Sequence, residues 1–125
     1  MKALFSLYKT DNVLTIARRL IDCGWTIIAT NNVVKVLEKN DIEVQDVADF
    51  LNIKETYPFP PTLHPEMELS LTTNETESIH LVFDNTYPLS EGNDVGGHTL
   101  LALAAKGSRI VVSNLDDMEK VLDQI

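Results

Sequence analysis

Short, strongly apolar stretches that alternate with segments of helical periodicity constrain this chain more than any other feature. "KALFSL", "WTIIAT", "SIHLVFDN" and "RIVVS" read as strands. "WTIIAT" is apolar on both faces, as buried parallel strands tend to be, and "RIVVS" reads as a final buried strand. Between them, "TDNVLTIARRLIDCG" carries Val13, Ile16, Ala17, Leu20 and Ile21 at helical spacing, with Thr10 placed as an N-cap and Gly24 placed to end the helix. "NNVVKVLEKN" and "VGGHTLLALAAKG" read as further helices, the second stopping at Gly107. "LDDMEKVLDQI" is an amphipathic helix with Leu115, Met118, Val121, Leu122 and Ile125 on one face. "IEVQDVADF" reads as a strand or a turn plus strand, and the alternation of "MELSLTT" suggests an edge strand. Strand and helix alternate throughout, so the expected class is α/β, with a mainly parallel sheet and helices on both faces.

Ligands of such sheets sit beyond the carboxyl ends of the strands. The turns to watch are therefore residues 6–10, 29–33, 84–88 and 94–97. In "SLYKT", Lys9 stands just before a helix start; it reads either as an anion-site cation or as an ordinary surface lysine. In "ATNNV", Thr30, Asn31 and Asn32 offer a hydroxyl and amides at a helix start, which suits a phosphate and equally suits simple capping. In "NDVGGHTLL", Gly96 and Gly97 allow backbone to approach a ligand, and Asp94 reads as an acceptor for a base or sugar or as a helix cap. Neither the dinucleotide nor the P-loop glycine spacing is present. Pro58, Pro60, Pro61 and Pro65 surround Thr62-Leu63-His64 in a stiff segment that reads as either a corner or a pocket wall.

Composition narrows the classes further. A chain of 125 residues suits a single domain spanning 1–125. The net charge of −9 argues against a nucleic-acid partner, which needs clustered Lys and Arg. No apolar run suits a membrane span, and the N-terminus lacks the pattern of a signal peptide, so a cytoplasmic protein is expected. Cys23, the single cysteine, excludes an internal disulfide and reads as a core residue rather than a nucleophile. His64, His80 and His98 lack metal-ligand spacing; no metal and no cofactor are expected, and His80 reads as a structural residue inside a strand.

Taken in order, "ALFSLYKT", "IIATNNV", "TLHPEM", "NTYPL", "DVGGHTLLALAAKG" and "RIVVSNLDDMEKVL" resemble the IMP cyclohydrolase domain of the bifunctional AICAR formyltransferase/IMP cyclohydrolase family over nearly the whole chain. The resemblance implies a methylglyoxal synthase-like three-layer sandwich without the formyltransferase domain. It implies closure of formyl-AICAR ribonucleotide to IMP, a reaction helped by positioning and oxyanion stabilisation. By resemblance, Ser6, Lys9, Thr30, Asn31, Asn32 and Thr62 line the phosphate end. Asn85, Val95, Gly96 and Gly97 surround base and sugar, together with Tyr87 and Asp94. Tyr87, Asp94 and Lys106 match residues implicated in the cyclisation, and His64 belongs to the pocket wall. The implied partner is a purine nucleotide or phosphorylated metabolite, and self-association of relatives allows a homo-oligomer. Two departures stand out. The family's lysine before "TLHP" is Pro61 here, and its Ser-Gly-Gly-Thr turn is Thr30-Asn31-Asn32-Val33. Reduced or lost turnover is the expectation. The alternative is a non-catalytic sensor of nucleotides or phosphate, like the regulatory domain of carbamoyl phosphate synthetase.

Overall fold

Why the chain folds as it does is clearest from its central strand. β1 (Lys2–Leu7) is apolar on both faces, and in the computed structural model, which describes residues 1–54, 56–74 and 77–125, it lies in the middle of a five-stranded sheet. The sheet order is β3-β2-β1-β4-β5, with β2 (Thr26–Ala29), β3 (Gln45–Asp46), β4 (Leu81–Asn85) and β5 (Ile110–Val112), and every pairing is parallel. The expected α/β class is thus realised with helices on both faces. Alternation along each strand divides the core in two. Ala3, Phe5 and Leu7 of β1 pack with α1 (Val13–Asp22), α2 (Asn31–Lys39) and α6 (Leu115–Gln124), and Phe5 meets Phe83 of β4 edge to face at 5.7 Å. Leu4, Ile28 and Val82 point the other way, onto α3 (Val47–Leu51), α4 (Pro65–Thr72) and α5 (Val95–Lys106).

The chain moves outward from β1 to β2 and β3, then returns across the sheet to β4 and β5. This reversal separates the crossovers that follow β1 and β4, and an open sheet leaves its crevice there.

Several expectations need correction. "MELSLTT" is not a strand but lies in α4. Pro65 occupies a first-turn position of that helix, where its missing N–H costs nothing, and the His64 ring accepts from the Glu66 amide at 3.1 Å. The buried residues are Met67, Ser70 and Leu71, at helical spacing, while Leu69 stands exposed. A parallel return to β4 also requires a crossover, and α4 lies on it. The stretch "IEVQDVADF" contributes only the two residues of β3 before α3 begins, capped by Asp46, whose carboxylate accepts from the Ala48 amide at 2.8 Å. "RIVVS" is not buried throughout: β5 is the sheet's edge, and only Val112 is buried there. Thr10 does not cap α1 with its side chain. Asn12, in a left-handed conformation, holds the N-cap position, and Thr10 supplies its carbonyl to the Val13 amide. Cys23 is exposed at the end of α1 rather than in the core. His80 precedes β4 rather than lying within it, yet its role is structural. Its Nδ1 accepts from the Lys2 amide at 2.9 Å, its own amide donates to the Lys2 carbonyl at 2.8 Å, and its ring meets Trp25 edge-on.

Helix α6 carries its expected face: Met118 and Leu122 are buried and Leu115 and Val121 half-buried, while Ile125 is exposed. Its outer side is tied to α1 by Arg19, which reaches Glu119 and Asp123, each at 3.2 Å, an exposed pairing of small energetic worth. No helix among the described residues is long and apolar enough to cross a membrane.

Gly107 ends α5 as expected, but not by adopting a left-handed backbone. Its φ is −83°, and the left-handed residue is Ser108, with φ 58°. Gly107 is needed because α5 ends hard against α4: a Cβ there would lie 1.7 Å from the Leu71 carbonyl oxygen. Gly107→Ala should therefore lower the unfolding free energy by about 1–3 kcal/mol, as overpacking does, whereas Ser108→Gly should leave it unchanged or raise it. Urea unfolding of the two variants checks this, and an unaltered Gly107→Ala midpoint would contradict the close approach.

Candidate functional site

The crevice forms where β1 and β4 run out side by side. Their register pairs Ser6 with Asp84 and Leu7 with Asn85. Alternation turns Ser6 and Asp84 toward the α5 side of the sheet, above the core residues Leu4 and Val82. Ser6, Leu7, Tyr8, Thr30, Asn32, Asp84, Tyr87 and Asp94 line an open cleft of about 260 Å³. Five of the residues expected from sequence (Ser6, Thr30, Asn32, Tyr87 and Asp94) thus come together from four separate segments. Thr30 also borders a neighbouring hollow of about 630 Å³, shared with Asn31, Pro61, Tyr57 and Phe59.

Most of the polar groups around the cleft hold one another. The Asn85 side chain accepts from the amides of Tyr8 at 2.6 Å and Lys9 at 3.2 Å, and donates to the Lys9 carbonyl at 2.8 Å. It fixes the turn after β1. Lys9 is thereby anchored by its backbone, while its side chain is exposed and makes no salt bridge among the described residues. Asn32 donates to the Leu7 carbonyl at 2.6 Å and accepts from the Thr30 hydroxyl at 3.0 Å, which straps the start of α2 to the end of β1. No side chain caps α2. The Thr30 carbonyl accepts from the amides of Val33 and Val34, so the amides of Asn31 and Asn32, which precede them, face outward from the first turn.

Asp94 is the N-cap of α5: its carboxylate accepts from the Gly97 amide at 2.9 Å and from the Tyr87 amide at 3.3 Å. The glycines fit this arrangement. A Cβ on Gly97 would lie 2.6 Å from an Asp94 carboxylate oxygen, and one on Gly96 would lie 2.8 Å from the Thr62 hydroxyl. Thr62 is accordingly buried against the first turn of α5. Val95 is exposed at that turn. The Tyr87 hydroxyl donates to the Asn93 carbonyl at 2.7 Å, and its ring meets Tyr8 edge-on at 6.3 Å. The Tyr8 hydroxyl donates to Glu91 at 2.8 Å, a bond that holds the phenol above its ordinary pKa.

Two expected residues stand elsewhere. Lys106 ends α5, eleven residues beyond Val95, about 16 Å along the helix axis from the cleft end. His64 caps α4, packs its ring 5.4 Å from Tyr57, and lines a separate hollow with Phe50, Leu51 and Ser70.

Sequence reasoning missed Tyr8 and Asp84. Asp84 is 2% exposed, and one carboxylate oxygen, Oδ2, has no hydrogen-bond partner among the described residues. Burial pushes its pKa up, the Asp94 carboxylate adds to this, and the Ser6 hydroxyl and His98 act in the opposite sense; the result is about 6. The available signal was an aspartate inside the otherwise apolar run "LVFDN".

The fold and its crevice define a parallel α/β domain with a ligand-sized site at a topological switch point. No family model matches the chain. Curated relatives do: the chain is 31% identical over 153 residues to the bifunctional purine biosynthesis protein PurH of Fusobacterium nucleatum, and 30% identical to those of Caldicellulosiruptor saccharolyticus and Clostridium perfringens. These matches take in 99% of the chain but only 30% of each relative, so the chain spans under a third of their length. A solved structure described as the crystal structure of ForH superposes with a TM-score of 0.83 at 26% identity, over 98% of this chain and 78% of that one. Over 99% of its length the chain is thus similar to one part of the PurH proteins, and it has the methylglyoxal synthase-like α/β fold that the sequence resemblance implied.

Asp84 gives the domain a pH dependence of definite sign. Its pKa is raised from 3.8 to about 6 on folding, so the folded state binds a proton more tightly than the unfolded chain. That contribution is fully present below about pH 4 and is lost as pH rises through about 6. Relative to Asp84→Asn, the natural protein should therefore lose stability between these limits and keep a constant difference above pH 7 or so. Urea midpoints of both proteins across pH 4–8 test this, and parallel curves would contradict it.

Proposed function

We propose that the cleft binds a purine ribonucleotide monophosphate, with its phosphate at the start of α2 and its base between Tyr87, Asp94 and the first turn of α5. The observation that carries this reading is the uncapped first turn of α2, whose outward amides at Asn31 and Asn32 open beside Thr30 at the switch point, while Lys9, in the turn after β1, makes no salt bridge among the described residues. Helix starts of this kind bind anions through free N–H groups and the helix dipole. Kinship with purine biosynthesis proteins over 99% of the chain supports a purine ligand in particular. Ser6 and Thr62 serve this site from behind: Ser6 stands beside Asp84 in the strand register, and Thr62 sets the position of Gly96. Gly97 and Val95 present the α5 backbone to the base.

Closure of formyl-AICAR ribonucleotide to IMP is the reaction this site would serve, at reduced rate or not at all. Pro61 supplies neither a cation nor an N–H where the family places a lysine. Asp94 is committed to two backbone amides and acts by positioning. Lys106 lies too far along α5 to reach the cleft from its own chain. Loss of one charged donor to a developing oxyanion typically costs ~10²–10³-fold in rate.

IMP and AICAR ribonucleotide should each raise the melting temperature, and Lys9→Ala should weaken both in calorimetry by about tenfold, the worth of one charge-assisted contact. Pro61→Lys, at the edge of the hollow next to Thr30, should raise the rate of IMP formation. Absence of heat and of thermal shift with both nucleotides would overturn the binding reading. An unchanged rate in Pro61→Lys would remove the explanation offered for weak turnover.

A further inference from the structure

The cleft contains one group that the fold does not use. β4 buries Leu81, Val82 and Phe83 in succession, and alternation continues the line of Val82 into residue 84. An apolar side chain there would complete the core against α5. Asp84 stands there instead, buried to the same degree, with Oδ2 buried and unpaired, and the residue is among those that line the cleft. Buried polar groups in folded proteins are nearly always partnered, and a buried carboxylate oxygen without a donor is costly.

Among the described residues no group supplies that donor. The Ser6 hydroxyl acts on Asp84 in the sense that lowers its pKa yet leaves Oδ2 unpaired, the Tyr87 hydroxyl is turned to the Asn93 carbonyl and the Tyr8 hydroxyl to Glu91. The Asn32 amide is spent on Leu7. Asp94, the charge facing Asp84 from the start of α5, is itself an acceptor, and His98, one turn further on, is exposed and influences Asp84 only through space. This end of the cleft is rich in acceptors and carries negative charge. It suits a ligand part that donates N–H, and it repels an anion.

We propose that Asp84 is a ligand-recognition residue of the cleft, whose carboxylate accepts a hydrogen bond from a carboxamide or amino N–H of the bound molecule. This rests on reading the cleft as a binding site, and not on the phosphate at α2. The cleft is then polarised. Donors at the α2 start face an anion, and an acceptor at the end of β4 faces an amide-bearing ring. A molecule with both features gains at both ends, while an anion alone gains only at the first.

Calorimetry with three probes tests this: AICAR ribonucleotide, its free base 5-aminoimidazole-4-carboxamide, and ribose 5-phosphate. Asp84→Val removes the acceptor at a position the core would fill with an apolar residue, and Asp84→Asn keeps one neutral acceptor; urea unfolding verifies that each is folded. The natural protein should bind the carboxamide probes, and Asp84→Val should weaken both by about tenfold or more while leaving ribose 5-phosphate unchanged. Asp84→Asn should fall between. If ribose 5-phosphate fails to bind while the free base binds in an Asp84-dependent way, the inference stands and the phosphate reading falls. The inference is overturned if the carboxamide probes do not bind the natural protein, if Asp84→Val binds them equally well, or if it weakens ribose 5-phosphate to the same extent.

Discussion

The parallel pairing of β1 with β4 is the constraint on which the rest of the structure depends. β1 is buried on both faces and sits in the middle of the sheet, so its neighbours determine where every later element can go. With β2 on one side and β4 on the other, the crossovers that follow β1 and β4 run in opposite directions. No helix can cover the gap between the turns after β1 and β4, and the cleft is the space that remains. The register places Ser6 beside Asp84 and Leu7 beside Asn85, and so decides which side chains meet at its floor.

The rim of the cleft is held by side chains bonding to backbone across long sequence separations. Asn85 grips the turn at Lys9 from the next strand, Asn32 joins α2 to the end of β1, and Asp94 ties the Tyr87 turn to the start of α5. Each satisfies amides or carbonyls that a strand end or helix start would otherwise leave open. The same bonds explain why residues that look like ligand donors in the sequence serve here to position other groups. The groups left outward are the first amides of α2 and the Lys9 ammonium, and the group left inward is one oxygen of Asp84. An uncompensated group of this kind is tolerated where a site requires it.

Much of this was legible in the sequence, and the exceptions have identifiable causes. The five-residue alternation of "MELSL" has period two, yet Pro65 at the first turn and a ring acceptor at His64 start a helix, and packing selected Met67 and Leu71 over Leu69. Local chemistry marks Gly107 as a helix stop, but a contact with Leu71, remote in sequence, is what excludes a side chain. "RIVVS" has the composition of a buried strand and lies at an edge, because strand order is not encoded in any single strand. Cys23 and Lys106 were assigned from residue type and motif order, neither of which says which way a helix end faces.

The sequence by itself determined the strands and helices with strong periodicity, the α/β class, and the turns in which a ligand would sit, because these follow from local spacing of apolar residues and from the rule that parallel strands open at their carboxyl ends. Only the tertiary structure decided that Ser6, Thr30, Tyr87 and Asp94 share a cleft while His64 and Lys106 do not, that the asparagines are committed to backbone, and that an aspartate in an apolar strand is buried with a free oxygen. Those outcomes depend on strand order and register, which are set by contacts between segments 78 residues apart and which no local pattern contains.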